Sequence, residues 1–498
     1  MFAIKKTYLY NYYGELIMKI KTNNINNTIY LKTILFLIPI LSLLKFGLDN
    51  DFWFTINQGR YVIDNGFPTT LISTIHEGLS FIYQSYGTGV LFYLVYNTFG
   101  VTGMMILLIL IAELIDYFFY KLCYTISNNK NISYILTIIF MTIFSLFFLV
   151  TRPHIFTVLN LTIILYLLEK YIKENKVKYL IPIPFVGLLE SNMHGIYLLP
   201  LLIIISPYVI NSFKFKILKI ESNGYNKTPL FITYILTFLI GFINPYTYKT
   251  VFYGLKSYTS FMKGFITELA SPSIHNDVGI VIIGFMFLCY LAYYIKKQKM
   301  PLRYYLLILG TTYMALDAVK SAPFFMLCGL FPIAYFYKTN IIDNTKSTKN
   351  QFIIVSIIVI ATVSLSILNI NPVKEMDIKK TIDYLDKNNT INNPKLYTSF
   401  WDGSYVEYRG YNCYIDPRAE AYLKVNNHKE DILMEYNYLQ NSANINHNEF
   451  IKKYDFDYLV IHKQDDSLYY YLRNYPNDLY ERVYEDKNYE LWQKKTTS

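Results

Sequence analysis

Charge is scarce in this sequence. Of 498 residues only 16% are Asp, Glu, Lys or Arg, against 53% hydrophobic and 18% aromatic. A soluble chain of this length would form about three domains and would need more charge than that on its surface. A wholly soluble protein is therefore excluded, and most of the chain is expected in lipid. Cysteine is scarcer still. Cys123, Cys289 and Cys328 lie in or beside apolar runs and Cys413 stands alone, with no CxxC pair. Neither a disulfide framework nor a cysteine zinc site follows. The N-terminus lacks a short apolar stretch ending in a small-residue cleavage site. Its first long apolar run goes from Ile29 to Leu48, which reads as an uncleaved first span rather than a signal peptide, with Met1 or Met18 as the start. An internal repeat and a low-complexity linker are also missing.

What is present is a series of apolar runs. About 20 apolar residues cross a bilayer as a helix, because about 30 Å of hydrocarbon is covered at 1.5 Å per residue with every backbone group paired internally. That yardstick gives about eleven spans, at 29–48, 101–122, 132–150, 155–171, 179–190, 195–212, 229–243, 278–295, 302–316, 321–337 and 352–370. The fifth and ninth are short, and 86–99 reads as a re-entrant or surface helix. The net charge of +10 does not indicate a nucleic-acid partner, since the basic residues fall in short clusters between apolar runs. With the N-terminus inside, every cytoplasmic connection is basic, from Lys19 and Lys21 to Lys338, Lys346 and Lys349. The opposite connections hold only Arg60, Arg152, Lys249, Lys256, Lys263 and Lys320. This is the positive-inside pattern of a multi-pass cell-membrane protein.

The expected organisation is a cytoplasmic segment (1–28), a membrane domain (29–372) with a large first outer loop (49–100), and an extracytoplasmic α/β domain (373–498) with a partly parallel sheet. Helix-like stretches at 378–387, 430–440, 449–454 and 468–474 alternate there with β-rich runs at 395–399, 411–415 and 458–461. The fold class is thus a polytopic α-helical membrane protein with an external head.

In this register the ionisable and polar residues gather on the outer side, among them Asp49, Asp51, Arg152, His154, Glu190, Asn192, His194, Glu268 and Lys320. Ionisable groups at the ends of apolar helices are costly and read as functional. Asp49 and Asp51 are the candidate catalytic residues, because a carboxylate pair can hold a divalent cation, Mg or Mn, through hard oxygens, or one member can take a proton from a nucleophile. Arg152 and Lys320 are candidates for a phosphate, Arg as a fork and Lys as a point charge. His194, before Gly195, either meets substrate or bonds a neighbouring loop. Glu190 would be explained by pairing with Arg152, and Asp416, Arg418 and Glu420 by a turn bridged by ion pairs.

The segment Asp51, Trp53, Phe54, Arg60, Tyr61, Asp64, Asn65 and Gly66 resembles the first outer loop of the GT-C superfamily, membrane glycosyltransferases that use polyprenyl-phosphate-linked sugars, and among them the oligosaccharyltransferase catalytic subunits. The resemblance implies that Asp51, ahead of Asp49, is the catalytic or metal-binding carboxylate. Ile266, Thr267 and Glu268 resemble the Ser/Thr-x-Glu element of a late external loop, and Phe400, Trp401, Asp402, Gly403, Ser404 and Tyr405 resemble the Trp-Trp-Asp-Tyr-Gly motif that helps read the acceptor. The resemblance thereby makes Glu268, Trp401 and Asp402 substrate-binding residues, with Arg152, His154, Asn192, His194 and Lys320. The chain departs from the pattern in the second outer loop, where those subunits carry an acid pair and this one has Thr151, Arg152, Pro153 and His154. The expected partners are a polyprenyl-phosphate sugar donor, a glycan, protein or lipid acceptor, and membrane lipid. Two other classes fit many spans with ionisable groups: a lipid or solute transporter or flippase, and a non-catalytic protein of the same fold.

Overall fold

A computed structural model describes residues 31–43, 47–213, 216–217, 220–221, 225–257, 260–339, 376–442, 446–464, 466–475 and 478–495. The expected segment 1–28 and the expected span 352–370 lie outside them. Among the described residues six helical stretches are long and apolar enough to cross a membrane: Tyr86–Ser127, Lys130–Phe147, His154–Glu174, Gly195–Ser212, Asp277–Lys296 and Val319–Phe336. Four further expected spans are shorter helices, at Leu31–Ser42, Pro182–Met193, Lys227–Ile240 and Leu302–Asp317.

Local chemistry sets where these helices begin and end. Asn129 and Asn276 cap their helices by accepting from the backbone N–H of Ile132 and Gly279, and Asn128, Asn175 and Lys297 close helices in the left-handed conformation. Pro starts the helices at 182, 322 and 331. The longest stretch, Tyr86–Ser127, is two helices joined at Gly100, whose φ of 60° and ψ of −150° only glycine tolerates readily. That break is where the separate 86–99 segment was expected to end.

The segment expected as the first outer loop opens with a helix, Asn50–Asn65, which packs on the start of the Tyr86–Ser127 stretch backbone to backbone. A Cβ added to Gly59 would sit 2.0 Å from the Gly89 carbonyl oxygen, so neither residue can carry a side chain without the helices separating. Phe52, Trp53 and Ile56 are buried on the same helix. Trp53 meets the tail, edge-on to Tyr405 at 5.0 Å and tilted against Tyr408 at 4.8 Å.

The tail is an α/β unit around a five-stranded sheet in the order Asn412–Cys413, Lys395–Tyr397, Tyr458–His462, Tyr489–Lys494, Tyr480–Glu485. The first three strands run parallel, as expected from the sequence; the last two form an antiparallel hairpin, which was not expected. The tail is not a detached head. The backbone N–H groups of Ile75 and Cys413 donate to the carbonyls of Cys413 and Ser73 at 3.0 and 3.2 Å, extending the sheet edge with the first outer loop. A hydrophobic core including Leu71, Phe81, Tyr83, Tyr253, Leu269, Tyr397 and Tyr414 is common to outer loops and tail.

Candidate functional site

Three segments far apart in sequence meet at one guanidinium. Asp49 caps the Asn50–Asn65 helix, one carboxylate oxygen accepting from the Phe52 N–H at 3.0 Å. Its other oxygen takes Arg152 Nε at 2.6 Å. Asp51, in the first turn of that helix, lies 3.0 Å from Arg152 Nη1, and the same nitrogen donates to Glu268, which the turn Thr267–Leu269 presents. Nη2 has no hydrogen bond among the described residues. Arg152 stands just before the His154–Glu174 helix, so three connections on one side of the helices converge here.

The cluster lies on the wall of a cavity of about 790 Å³, which is also lined by Gln58, Tyr83, His154, His194, Tyr197, Lys320, Arg418 and Glu420. Burial pushes the Asp51 carboxyl up to about 8; the Arg152 charge opposes this, while Asp49, Glu268 and Glu420 add to it. Although burial works against it, Arg152 is held more firmly protonated than an ordinary arginine by Asp51, Asp49 and Glu268. Burial also raises Glu420.

Most sequence candidates reach this cavity, but their partners differ from expectation. His154 Nε2 lies 2.7 Å from the Phe148 carbonyl oxygen. His194 Nδ1 lies 2.9 Å from Thr157 Oγ1, which in turn is 2.6 Å from Glu190. Glu190 therefore does not pair with Arg152: Thr157 and Asn160 donate to its two oxygens at 2.6 and 2.7 Å within the helix packing. Lys320 Nζ lies 5.7 Å from the centre of the Tyr197 ring, which itself rests on His194 at 4.4 Å. Asp49 is both a helix cap and a rim residue.

Three candidates do not line the cavity. Asn192, in the last turn of the Pro182–Met193 helix, donates to the Leu188 carbonyl at 2.7 Å and to the Ile243 carbonyl at 3.1 Å, which ties that helix end to the connection after Lys227–Ile240. Asp402 is buried and accepts from Ser399 and Tyr489 at 2.7 and 2.9 Å, which makes it a fastening within the tail. Trp401 is half exposed.

The tail instead supplies Glu420 and Arg418, which the sequence reading treated as structural. The expected Asp416–Arg418 pair is present: Arg418 Nε and Nη2 reach Asp416 at 2.8 and 2.7 Å, and Nη2 also reaches Glu407. Arg418 is flanked by the Phe54 and Phe81 rings at 5.8 and 5.9 Å, so it joins the tail to the first outer loop. Glu420 is separate from that pair and faces the cavity. The run Asp416-Pro417-Arg418-Ala419-Glu420 was the available signal.

No protein-family model and no curated protein matches the chain. Solved structures do. The chain resembles the archaeal oligosaccharyltransferase AglB from Archaeoglobus fulgidus in complex with an inhibitory peptide and a dolichol-phosphate, with a TM-score of 0.59 and 9% identity over 89% of this chain and 70% of that one. The chain shares the fold of these archaeal oligosaccharyltransferase structures. It matches the oligosaccharyltransferase of that organism tethered through a disulfide bond to an acceptor peptide containing the NVT sequon, with a TM-score of 0.54 and 11% identity over 89% and 70% of the two chains. A complex of the same oligosaccharyltransferase with Zn and sulfate matches with a TM-score of 0.50 and 10% identity over 86% and 68%. This likeness is one of fold, and the chemistry has to be argued from the residues above.

Proposed function

We propose that this protein is a membrane glycosyltransferase that moves a sugar from a polyprenyl-phosphate donor to an acceptor on the non-cytoplasmic face. One observation carries the reading: on this fold, Asp51, Arg152 and Glu268, from three separate connections, meet at the wall of a cavity shared by membrane helices and tail. The dolichol-phosphate and acceptor peptide held by the similar structures support a lipid-linked donor and a peptide acceptor.

The chemistry follows from charge. An acceptor hydroxyl attacks the anomeric carbon, its proton goes to Asp51, and the bond from that carbon to the phosphate oxygen breaks, leaving the electron pair on the phosphate. A carboxylate whose proton affinity has been raised toward neutrality is a suitable base. The developing negative charge needs cations aimed at it. Arg152, whose Nη2 has no hydrogen bond among the described residues, and Lys320 supply them. Attack from the side opposite the leaving phosphate inverts the anomeric centre.

A divalent ion enters the question because a similar structure binds zinc and because Glu407, Cys413 and Asp416 bring ligand atoms within 4.8 Å of one another. The residues present do not fit such an ion. Arg418 already occupies an oxygen of each carboxylate in that group, and burial holds the Cys413 thiol well above its usual range, away from the thiolate a metal needs.

The test is transfer of labelled sugar from polyprenyl-phosphate donors by the full chain in proteoliposomes. Asp51→Asn is expected to lower turnover by about 10²–10⁴, the usual worth of a positioned base, with membrane insertion unchanged. Full activity in that variant removes Asp51 from the mechanism.

A further inference from the structure

The carboxylates at the cavity rim are arranged around a cation, and that cation is part of the chain. Asp49, Asp51 and Glu268 all contact the Arg152 guanidinium, Asp49 at Nε and the other two at Nη1. We infer that Arg152 permanently fills the position a divalent metal would need between these acids, so that the rim binds no metal in the native protein and becomes a metal site when the arginine side chain is removed. The inference takes up the site of the proposed function, but its test needs no turnover.

Three features of the geometry carry it. A divalent ion takes oxygens at about 2.0–2.6 Å, so two oxygens on one ion are at most about 5 Å apart. A guanidinium is a planar, delocalised cation that spreads its partners over separate corners. Among the described residues the acid group that gathers its ligand atoms within 4.8 Å is Glu407–Cys413–Asp416; the rim acids, with the guanidinium between them, are held outside that spacing and can close on an ion only once it is gone. Second, Asp49 is only half available, since its other oxygen caps the Asn50–Asn65 helix. Third, arginine does not lose its proton at any ordinary pH, and here three carboxylates hold that charge in place. A metal would have to displace a cation that cannot be neutralised.

The same substitution of arginine for metal recurs in the tail, where Arg418 is seated against Glu407 and Asp416. The rim differs in exposure, since its acids keep 22–43% of their side-chain surface and Glu407 and Asp416 keep none, and so it is the place where removal of the arginine leaves oxygens accessible to an incoming ion.

The experiment is a titration of chelator-stripped, detergent-purified full chain with Mn²⁺ alone, read by the electron paramagnetic resonance of the free ion. Native protein is expected to show no site tighter than about 1 mM, the weak end for oxygen-ligand sites. Arg152→Ala is expected to gain a site at least about tenfold tighter, and Asp51→Asn placed on top of it should abolish the gain. Arg152→Met, closer in volume, serves if the alanine variant does not fold. A native site that Asp51→Asn removes overturns the inference, as does an arginine-free variant that folds and gains no site.

Discussion

Two arginines in this protein sit among carboxylates, one at the cavity rim and one inside the tail, and their surroundings give them different work. The side chains of Arg418, Glu407 and Asp416 are almost completely sealed, at 1%, 0% and 0% exposure. Those of Arg152, Asp49, Asp51 and Glu268 keep 27%, 31%, 22% and 43%. Although Arg418 borders the cavity, its carboxylate partners are sealed and have no exchange partner, so the cluster acts as a fastening between the tail and the Phe54 and Phe81 rings. A cluster open to a cavity can trade a protein partner for a substrate oxygen. Accessibility, more than the residue types, separates the fastening from the site.

The comparison is broken most forcefully at the sealed arginine. Arg418→Met removes one side of a buried pair and leaves two carboxylates uncompensated, which should cost about 3–5 kcal/mol of stability. Thermal unfolding of the detergent-purified protein measures it, and an unchanged transition would deny Arg418 its fastening role. Arg152→Ala should do the reverse. The rim pairs are partly solvated and worth about 0–1 kcal/mol each, so unfolding should move little, whereas the Michaelis constant for lipid donor should rise about 10- to 100-fold through loss of a charge-assisted phosphate contact. If only the acceptor constant moved, the phosphate assignment would be wrong.

A smaller effect sharpens the role of Asp51. The base must be deprotonated to act, and its proton is held up to about 8 by burial, Asp49, Glu268 and Glu420 against the pull of Arg152. Turnover should therefore climb as pH rises through about 8 and level off above it. In Arg152→Ala the climb should shift to higher pH, because the opposing positive charge is gone. A rate independent of pH between 6 and 9 would take Asp51 out of the proton-accepting role. Smallest of all, Trp401→Ala should leave turnover unchanged within about twofold, as expected for a half-exposed side chain outside the cavity. A large loss would return the Trp401–Asp402 element to substrate recognition.

Much of this could be read from residue order. The long apolar runs, the separateness of 86–99, the parallel part of the tail sheet, and the gathering of Asp51, Arg152 and Glu268 on one side follow from the length of apolar runs, strand-like patterning and the placement of charge, whereas the role of Gly100 in the break came from the structure. The hairpin at Tyr480–Glu485 and Tyr489–Lys494 was missed because charged and polar residues interrupt its few apolar ones, so no regular apolar face stands out. Glu190 and Asp402 could not be assigned from sequence, since their partners, Thr157 and Asn160 or Ser399 and Tyr489, are polar residues that no local pattern pairs with them. Glu420 was undervalued for a different reason: sequence separation hides the folding of the tail back over the first outer loop.

The bare contact between Gly59 and Gly89 has an effect on how inherited changes in this protein should be interpreted. Gly59 touches no reacting group and lies about two helical turns from the acid. A single methyl there still forces apart the helix that carries Asp51 and the helix it leans on. Such a variant would pass for an active-site lesion in a turnover assay, although its origin is the spacing between two backbones.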